Sequence, residues 1–398
     1  MNGEIVPLKH LVGINERALA EDTDPDREFR YIDIGVVGRG ELVTAPEQLR
    51  FGDAPSRARR IVRLGDTIVS TVRTYLRSVW PVSGDADRLV VSTGFAVLTP
   101  HRIDARFFSW WARSDPFIEE VVARSVGVSY PAINAVDLGE LLVRVPHPVE
   151  QRAIADFLDT ETARIDALIT KKRRMIDLLL ERRSRAVSHE IWSRNFDPVR
   201  LKHLCGLPTS GNRDHSSFTP DDDGVPCLRG LNVRPGRIEM TSLLRISIED
   251  HQRLDQTQLQ PGDLVIVRSG NAGSAAVIPP EFGDVNCVDL VVVRSSPRLN
   301  PRYLEYVVNS REAQEQVHSK SAGALLTHFN AVDAGDLTIP WVEQHEQERV
   351  VVFLNTLVGN LEAIAGLLKM QLSLLRERRQ ALITAAVTGD LDVPGAAA

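Results

Sequence analysis

The sequence has few of the residues that build disulfide frameworks, metal sites or membrane spans. Its cysteines are odd in number and lack CxxC spacing, which predicts reduced thiols: Cys205, Cys227 and Cys287. No apolar run approaches the roughly 18 residues of a membrane span, and the opening MNGEIVPLKH has no signal-peptide core. We therefore expect a cytoplasmic protein that does not interact with a membrane.

Catalytic motifs are also missing. The chain contains no GxxxxGK(S/T) phosphate loop, HExxH pair, dinucleotide-binding glycine pattern or GxSxG elbow. Its ten histidines lack metal-ligand spacing. The residues around Pro279-Pro280 do not resemble the motif that cradles the target amine in DNA amino-methyltransferases. The sequence predicts a chain that is not an enzyme on its own and holds no metal or cofactor; a nuclease without a recognisable motif is the disfavoured enzymatic alternative.

Positive charge is not in excess. The chain has 47 lysines and arginines against 53 aspartates and glutamates, a formal net charge of -6. This balance argues against a protein that coats nucleic acid regardless of sequence. It is compatible with a specific DNA reader, because such binding depends on where the positive charge lies. At 398 residues, 43% hydrophobic and 25% charged, the chain is predicted to form two or three globular domains.

A leucine heptad near the C-terminus is the most regular pattern in the chain. Val350, Leu357 and Ile364 are predicted to fill the alternate apolar positions of the same heptads. Because 3.6 residues make one helical turn, a seven-residue repeat places one seam along one face and requires a partner helix. The seam leucines are Leu354, Leu361, Leu368, Leu375 and Leu382.

An earlier segment repeats this pattern and supplies the predicted partner helix. Glu150-Gln151 matches Glu346-Gln347, and Phe157-Leu158 matches Phe353-Leu354. Two long helices within one chain can pair with each other, so we predict an intramolecular coiled coil. The seam positions of the first helix are Leu158, Ile165, Lys172 and Leu179.

The predicted seam is not uniformly apolar. Lys172 stands where the second helix has Leu368, and Arg182 and Arg378 are expected at inner positions near the helix ends. A polar residue on a seam costs stability and can fix register or orientation. Lys172 is therefore the predicted determinant of register.

The regions before the two helices are repeated as well, which indicates a tandem duplication. Each copy opens alike (VPLKHL and VRLKHL) and has a Gly-Asp turn before a β-branched run, at Gly65-Asp66 and Gly262-Asp263. Each also has an aromatic helix, with Asp104 or Asn300 as the expected N-cap. We predict an α+β fold with domains at 1–145 and 196–339, helical regions at 146–195 and 340–390, and a tail at 391–398.

Arginines are concentrated in the first predicted domain and suit DNA contact. Arginine's planar guanidinium matches both phosphate and the O6/N7 edge of guanine. The alternative is a solvated loop with unpaired arginines. The candidates are Arg57, Arg59, Arg60, Arg63, Arg73 and Arg77.

The second domain offers a weaker set of DNA-binding candidates. Gly270 and Gly273 would let the backbone approach a ligand closely, and an asparagine there could read adenine or simply stabilise a turn. The candidates are Arg229, Asn232, Arg234, Arg237, Arg268, Ser269 and Asn271.

These features together resemble the specificity (S) subunit of type I restriction–modification systems over essentially the whole chain. The resemblance rests on the proline–EQ segments that introduce the helices, Pro146 with Glu150-Gln151 and Pro340 with Glu346-Gln347. It also rests on the Gly-Asp turns and on the paired segments Ile133-Asn134 and Phe329-Asn330, which precede each domain's last strand. Two copies in the same order make the likeness specific.

The resemblance implies two target-recognition domains, each reading one half of an asymmetric, split DNA site. It implies that the two helices form an intramolecular antiparallel coiled coil, which holds the domains apart in a pseudo-two-fold arrangement. The coiled coil is then expected to dock two methyltransferase (M) subunits, which motor–nuclease (R) subunits join. S-adenosylmethionine, ATP and Mg²⁺ are then expected in the partner subunits rather than in this chain. The alternative is a coiled-coil protein-interaction scaffold without DNA specificity, in which the arginines would have no role.

Overall fold

The computed structural model describes residues 3–193, 196–211, 218–219, 224–321 and 329–396. The chain divides into two compact units, Met1–Arg173 with Met370–Ala398, and Arg174–Lys369. The division passes through both long helices, so each unit contains one part of each helix.

The first unit is built from short strands followed by helices. Its strands are β1 (Glu4–Pro7), β2 (Val12–Ile14), β3 (Glu28–Ile32), β4 (Glu47–Arg50), β5 (Ala58–Ile61), β6 (Thr67–Ser70), β7 (Val79–Pro81), β8 (Leu89–Ser92), β9 (Phe95–Pro100) and β10 (Leu142–Val145). Its helices are α1 (Ala105–Trp111), α2 (Asp115–Ala123), α3 (Ala135–Gly139) and the start of α4 (Pro148–Trp192).

Two four-stranded sheets carry the first unit. The order β2-β9-β6-β7 is antiparallel throughout, whereas in the order β4-β3-β8-β5 the central pair β3 and β8 is parallel. β6 and β8 are buried along their whole length, as expected for β-branched runs covered on both faces. Two α1 residues, Phe107 and Phe108, are fully buried in the same core as Leu98 of β9.

The second unit has the same kinds of element. Its strands are β11 (Asp197–Arg200), β12 (Thr209–Ser210), β13 (Phe218–Thr219), β14 (Val225–Leu228), β15 (Val233–Arg234), β16 (Arg237–Ile238), β17 (Leu244–Ile246), β18 (Gln258–Leu259), β19 (Leu264–Val267), β20 (Ala275–Val277), β21 (Val285–Cys287), β22 (Leu290–Val293) and β23 (Thr338–Trp341). Its helices are α5 (Lys202–Cys205), α6 (Ile248–Arg253), α7 (Pro301–Val308), α8 (Arg311–Ser321), α9 (Ala331–Gly335) and the start of α10 (Gln344–Thr388).

The two units share one topology. The order β12-β22-β19-β20 repeats β2-β9-β6-β7, and the parallel pair β14 and β21 repeats β3 and β8. The repeated openings have the same role in both: β1 pairs with β10, and β11 pairs with β23. The salt bridge from Lys9 to Glu140 recurs between Lys202 and Asp336. The predicted α+β tandem duplication is confirmed.

The predicted N-caps are confirmed in both units. Asp104 Oδ1 accepts hydrogen bonds from the backbone of Arg106 and Phe107 at 3.0 Å each. Asn300 Oδ1 accepts from Arg302 at 3.0 Å and from Tyr303 at 3.2 Å. A side-chain acceptor here satisfies N–H groups that have no partner within the helix.

α4 and α10 pack against each other antiparallel, as predicted. In the first unit Arg379 Nε lies 2.9 Å from Asp166 Oδ1, and Lys172 Nζ donates to Gln371 Oε1 at 2.6 Å. In the second unit Arg183 lies 3.4 Å from Glu362. In the first unit, residue numbers rise along α4 from Asp166 to Lys172 while their partners on α10 fall from Arg379 to Gln371, so the helices run antiparallel.

The seam differs from its prediction in detail. Most predicted seam residues are buried, whereas Lys172, Leu179, Leu375 and Leu382 are half-buried. Ile364 is 45% exposed, so the expectation that it fills an alternate seam position is wrong. The alternate positions lie four residues after each seam leucine, because successive contacts alternate between steps of three and four residues. They are Val358, Ala365 and Leu372.

The inner arginines were also assigned one residue too early. Arg182 and Arg378 are exposed, whereas Arg183 and Arg379 are half-buried and make the ion pairs between the helices. One residue turns a helix by 100°, so an error of one position moves a side chain off the seam.

Helix α10 is long and apolar enough to cross a membrane by length and composition. Part of that apolar surface, 28% of its most apolar window, is buried inside the protein. Leu354 and Val358 lie in a second-unit core, and Ile383 and Val387 lie in a first-unit core. The helix ends where Gly389 adopts a φ of 88°, the left-handed conformation that favours glycine.

Candidate nucleic-acid interface

Several strands of the first unit end at a common edge. The Thr93 N–H donates to the Arg57 carbonyl at 2.8 Å, so the start of β5 lies beside the turn between β8 and β9. The Thr71 N–H donates to the Gly94 carbonyl at 2.8 Å, which brings the end of β6 to the same turn. The Ile133 N–H donates to the Thr71 carbonyl at 2.9 Å and adds the loop after α2. We call residues 31–33, 57, 71–77, 93–94 and 125–132 the first edge.

Arg57 is held at this edge by two side chains of strand β3 and its end. Its Nη2 lies 2.8 Å from Asp33 Oδ2, and its Nε donates to Tyr31 Oη at 3.3 Å. The hydrogen bond to Tyr31 and the charge of Asp33 raise the pKa of Arg57. The guanidinium remains more than half exposed. Arg57 is therefore oriented, yet accessible to a ligand.

Arg73 and Arg77 flank a single 3-10 turn, Thr74–Leu76, at the same edge. Both have positive φ, 51° and 56°. Arg77 Nη1 lies 3.5 Å from Asp115, whereas the Arg73 guanidinium lies over the Tyr130 ring at 4.9 Å. In the part of the chain that the structure describes, no carboxylate lies within salt-bridge distance of Arg73. Its charge is therefore available to an anion.

The remaining predicted arginines of this domain follow β5 away from the edge. Arg59 stacks over Phe51 at 4.7 Å, and burial lowers the pKa of Arg60. Arg63 lies beyond the far end of the strand and is exposed. At about 3.3 Å per residue, Arg57 and Arg63 are separated by about 20 Å along the strand. The arginines thus form a line rather than one cluster.

The Gly-Asp turn is a structural element in both units. Asp66 is 2% exposed and binds Arg17 at 2.5 Å, and it accepts from the Arg63 N–H at 2.7 Å. Asp263 is 1% exposed and binds Arg294 at 2.6 Å. A buried carboxylate needs such partners. These aspartates stabilise the turn and are not accessible to a ligand.

The second unit has a corresponding edge. The Val288 N–H donates to the Leu228 carbonyl at 2.8 Å, and the Phe329 N–H donates to the Arg268 carbonyl at 3.0 Å. Arg268 is 3% exposed, and its Nη1 lies 3.1 Å from Asp289, so it fixes the turn between β21 and β22. We call residues 229–232, 268–273 and 288–289 the second edge.

The predicted residues of the second edge differ in accessibility. Asn271 is exposed, and its Nδ2 donates to Ser274 Oγ at 2.6 Å, while Ser269 is half-buried. Arg229 is half-buried and its Nη2 donates to the Ser242 carbonyl at 3.3 Å. Asn271 is the accessible polar side chain of this set.

Three further predicted residues lie on or beside the β15–β16 hairpin. Asn232 is 1% exposed, and its Nδ2 donates to the carbonyls of Glu239 at 3.1 Å and Thr241 at 3.0 Å. The Asn232 amide therefore connects the start of this hairpin to the segment that follows it. Arg234 and Arg237 share the Glu239 carboxylate at 3.3 and 3.1 Å, and Arg237 is largely exposed.

The first edge also contains aromatic and aliphatic side chains that were not predicted as site residues. Tyr75, Leu76 and Tyr130 are exposed, whereas Trp80, on the neighbouring strand, is buried. An aromatic residue beside a strand is usually core, so the sequence does not separate Tyr75 from Trp80. The structure distinguishes the two residues, because Tyr75 lies in the turn between the left-handed residues Arg73 and Arg77.

The long helices also expose apolar side chains. In the second unit, Met175 and Leu178 on α4 and Ile364 and Leu367 on α10 are 45 to 56% exposed. Each pair is three residues apart, so each lies on one face of its helix. Exposed apolar rows of this kind typically mark surfaces for a protein partner.

The described residues do not form a recognisable metal site or a reactive thiol. Among them, no group of three or more His, Cys, Asp or Glu side chains could hold a metal ion. Burial raises the pKa of Cys205 to about 11 and that of Cys227 to about 12. These thiols are protonated at neutral pH and are poor nucleophiles.

The chain is similar in sequence to specificity subunits of type I restriction enzymes. It is 27% identical over 180 residues to the StySPI specificity subunit of Salmonella potsdam, which covers 43% of this chain and 37% of that protein. It is 28% identical over 187 residues to the EcoKI specificity subunit of Escherichia coli K12, covering 43% of this chain and 39% of that one. These matches span well under half of either relative. No protein-family model matches the chain.

Solved structures extend the likeness over nearly the whole chain. A chain from a type I R-M system, studied for its complex assembly and conformational transition, has a TM-score of 0.79 at 22% identity, covering 98% of this chain and 99% of that one. The HsdS subunit of Thermoanaerobacter tengcongensis has a TM-score of 0.53 at 23% identity, covering 98% of this chain and 97% of that one. The chain thus has the fold of the type I restriction–modification specificity subunits and resembles them in sequence.

Proposed function

We propose that this chain is the DNA-recognition subunit of a type I restriction–modification complex. Each unit reads one half of a bipartite, asymmetric DNA site in the cytoplasm, and the chain has no catalytic role of its own. The observation that carries this proposal is that both units have the same strand topology. The edge at which the strands end has different side chains in the two units. Two copies of one scaffold with different edge chemistry are suited to two different half-sites.

DNA contact in the first unit centres on Arg57 and Arg73. Both lie at the first edge, and both present an accessible guanidinium. A guanidinium can donate two parallel hydrogen bonds to guanine or to phosphate. Arg59, Arg60 and Arg63 continue along β5 and suit the phosphate backbone, which fixes position without reading sequence.

In the second unit, Asn271 is suited to reading adenine, since an amide can donate to and accept from its major-groove edge. We propose that Arg229, Arg234 and Arg237 contact phosphate or guanine, and that Ser269 adds a further polar contact to the DNA. The buried residues Asn232 and Arg268 position the edge instead, because their side chains are occupied by loop-closing contacts.

The exposed apolar rows on α4 and α10 support docking of two methyltransferase subunits. The motor–nuclease subunits would join that complex, and S-adenosylmethionine, ATP and Mg²⁺ would be bound by the partners. The same rows also favour the second candidate function, a coiled-coil scaffold without DNA specificity. In the first function the arginines contact DNA, whereas in the second they have no role.

Binding measured with the methyltransferase subunit present separates these functions. Mapping methylated bases in host cells with and without the gene identifies the site to use as a probe. The proposal predicts affinity for that site that falls steeply with salt, and a loss of affinity in Arg57→Ala and Arg73→Ala. Equal affinity for unrelated DNA, or unchanged binding in both variants, would favour the scaffold.

A further inference from the structure

The first edge exposes an unusual number of large apolar side chains. They come from two neighbouring loops, the turn at residues 73–77 and the loop at residues 125–132. Large apolar groups in contact with water on adjacent loops typically mark a contact surface. Their exposed fractions are 53% for Tyr75, 48% for Leu76, 80% for Val126, 103% for Val128 and 65% for Tyr130.

The two loops are fixed to each other. Thr74 is buried, and its Oγ1 donates to Ser125 Oγ at 2.8 Å. Ala132 pairs with both Val72 and Val126, which anchors the second loop to the end of β6. These contacts hold the apolar side chains in place before any ligand binds.

The turn itself is held in a costly backbone conformation. Arg73 and Arg77 both have left-handed φ angles, although neither is glycine or asparagine. Such conformations are unfavourable for residues other than glycine and persist where surrounding contacts enforce them, often at functional sites. Here they turn Tyr75 and Leu76 outward from a buried Thr74.

The second unit is different at the equivalent turn. Residues 269–273 read Ser-Gly-Asn-Ala-Gly and contain no large apolar side chain. Gly270 and Gly273 have φ values of 76° and 90°, and a Cβ on Gly273 would lie 2.7 Å from Gln314. The second-unit segment 322–328, which follows α8, lies outside the described residues. The 73–77 turn is thus specific to the first unit.

We infer that Tyr75 and Leu76 form a wedge that inserts between stacked base pairs of the DNA half-site held by the first edge. This inference rests on the proposed function and adds how that half-site is deformed. Duplex DNA fits because the wedge lies between Arg73 and Arg77 and on the same edge as Arg57. These three arginines are opposed by Asp33 and Asp115. Apolar wedges unstack and kink DNA in this way, and the arginines beside this wedge contact base edges or phosphates of the deformed half-site.

The test uses the full complex of this chain with its methyltransferase subunit. 2-Aminopurine is placed, one position at a time, in each half-site away from the methylated adenine, and its fluorescence reports unstacking. The double variant Tyr75→Ala/Leu76→Ala should lose the fluorescence rise in one half-site only and bind about tenfold more weakly. Tyr75→Phe keeps the ring and should retain most of the signal, and Ile5→Ala, an exposed apolar residue on β1, is the matched control.

Three results would overturn the inference. The first is a wild-type complex that binds its site without a fluorescence rise in either half-site. The second is an unchanged rise in the double variant. The third is a double variant that binds the methyltransferase subunit more weakly, although the complexes that still form give the wild-type fluorescence rise. That result would make the wedge a protein-binding surface. A wild-type complex with no site preference would overturn the proposed function itself.

Discussion

Gln151 Oε1 accepts a hydrogen bond from the backbone N–H of Asp104 at 2.8 Å. The second unit repeats this contact between Gln347 and Asn300, also at 2.8 Å. Each glutamine is buried and ties the start of a long helix to the N-cap of the aromatic helix in the same unit. The glutamine of the EQ motif therefore has a structural role that its sequence position alone did not reveal.

Replacing Gln347 with leucine should destabilise the second unit by about 1 to 3 kcal/mol. The Nε2 of Gln347 also donates to the carbonyls of Val342 at 2.9 Å and Arg298 at 3.1 Å, so the change leaves buried polar groups without partners. Chemical denaturation measures the loss. Glu348→Ala, at an exposed neighbouring position, should have little effect; equal losses in both variants would contradict this role.

The antiparallel register can be tested by reversing one ion pair. Arg183→Glu places two negative charges near each other, because Arg183 lies 3.4 Å from Glu362. We expect a loss of up to about 1 kcal/mol, since Glu362 is exposed and solvent screens the pair. Adding Glu362→Arg should restore the lost stability in thermal unfolding at low salt. A double variant that is no more stable than the single one would argue against this pairing.

The C-terminal end of α10 should stabilise the first unit selectively. Ile383 is fully buried in a first-unit core, and Val393 in the tail lies in the same core. Ile383→Ala should cost about 2 to 5 kcal/mol. Hydrogen exchange should then speed up in β6 and β9 but not in β19 and β22.

Ile191→Ala on α4 is the matched variant for that experiment. Ile191 is 2% exposed and lies in a second-unit core. It should accelerate exchange in β19 and β22 and leave β6 and β9 unchanged. Acceleration of the same strands by both variants would show that the units do not unfold separately.

Buried thiols make stability depend on alkaline pH. The pKa of Cys205 is raised to about 11 and that of Cys227 to about 12 from an ordinary 9.0, and burial also raises the pKa of Cys287. Above about pH 9 the unfolded chain loses thiol protons that the folded chain keeps, so folding stability falls as pH rises toward the raised values.

Denaturation at a series of pH values from 8 to about 11 measures this dependence. A Cys205→Ala/Cys227→Ala variant should lose stability less steeply with pH than the wild type. An identical slope in the two proteins would show that other groups set the dependence.

The sequence predicted the large elements because they repeat. The heptads, the EQ segments and the Gly-Asp turns occur twice in the same order, which predicted the duplication and the pairing of the two helices. The antiparallel direction followed from the family resemblance. The inner arginines were placed one residue early, at Arg182 and Arg378, because a seven-residue repeat does not show where the steps of three and four fall. That detail depends on contacts between the helices.

The candidate site was less predictable, because accessibility does not follow from residue type. Arg268 and Asn232 have the same chemistry as exposed DNA-binding residues, yet both are buried and hold turns. Tyr75 and Trp80 are both aromatic residues near strands, and only the left-handed backbone at Arg73 and Arg77 distinguishes their environments. Such conformations depend on contacts distant in sequence, such as that between Thr74 and Ser125.

The most direct test of the account is a binding comparison with half-site variants of the DNA. The methyltransferase complex is measured with wild-type chain, Arg73→Ala and Asn271→Ala against DNA altered in either half. We predict that Arg73→Ala weakens discrimination at one half only, and that Asn271→Ala does so at the other half, by about 1 to 3 kcal/mol for each lost base contact. Loss at the same half in both variants, or no loss in either, would contradict the claim that each unit reads its own half-site.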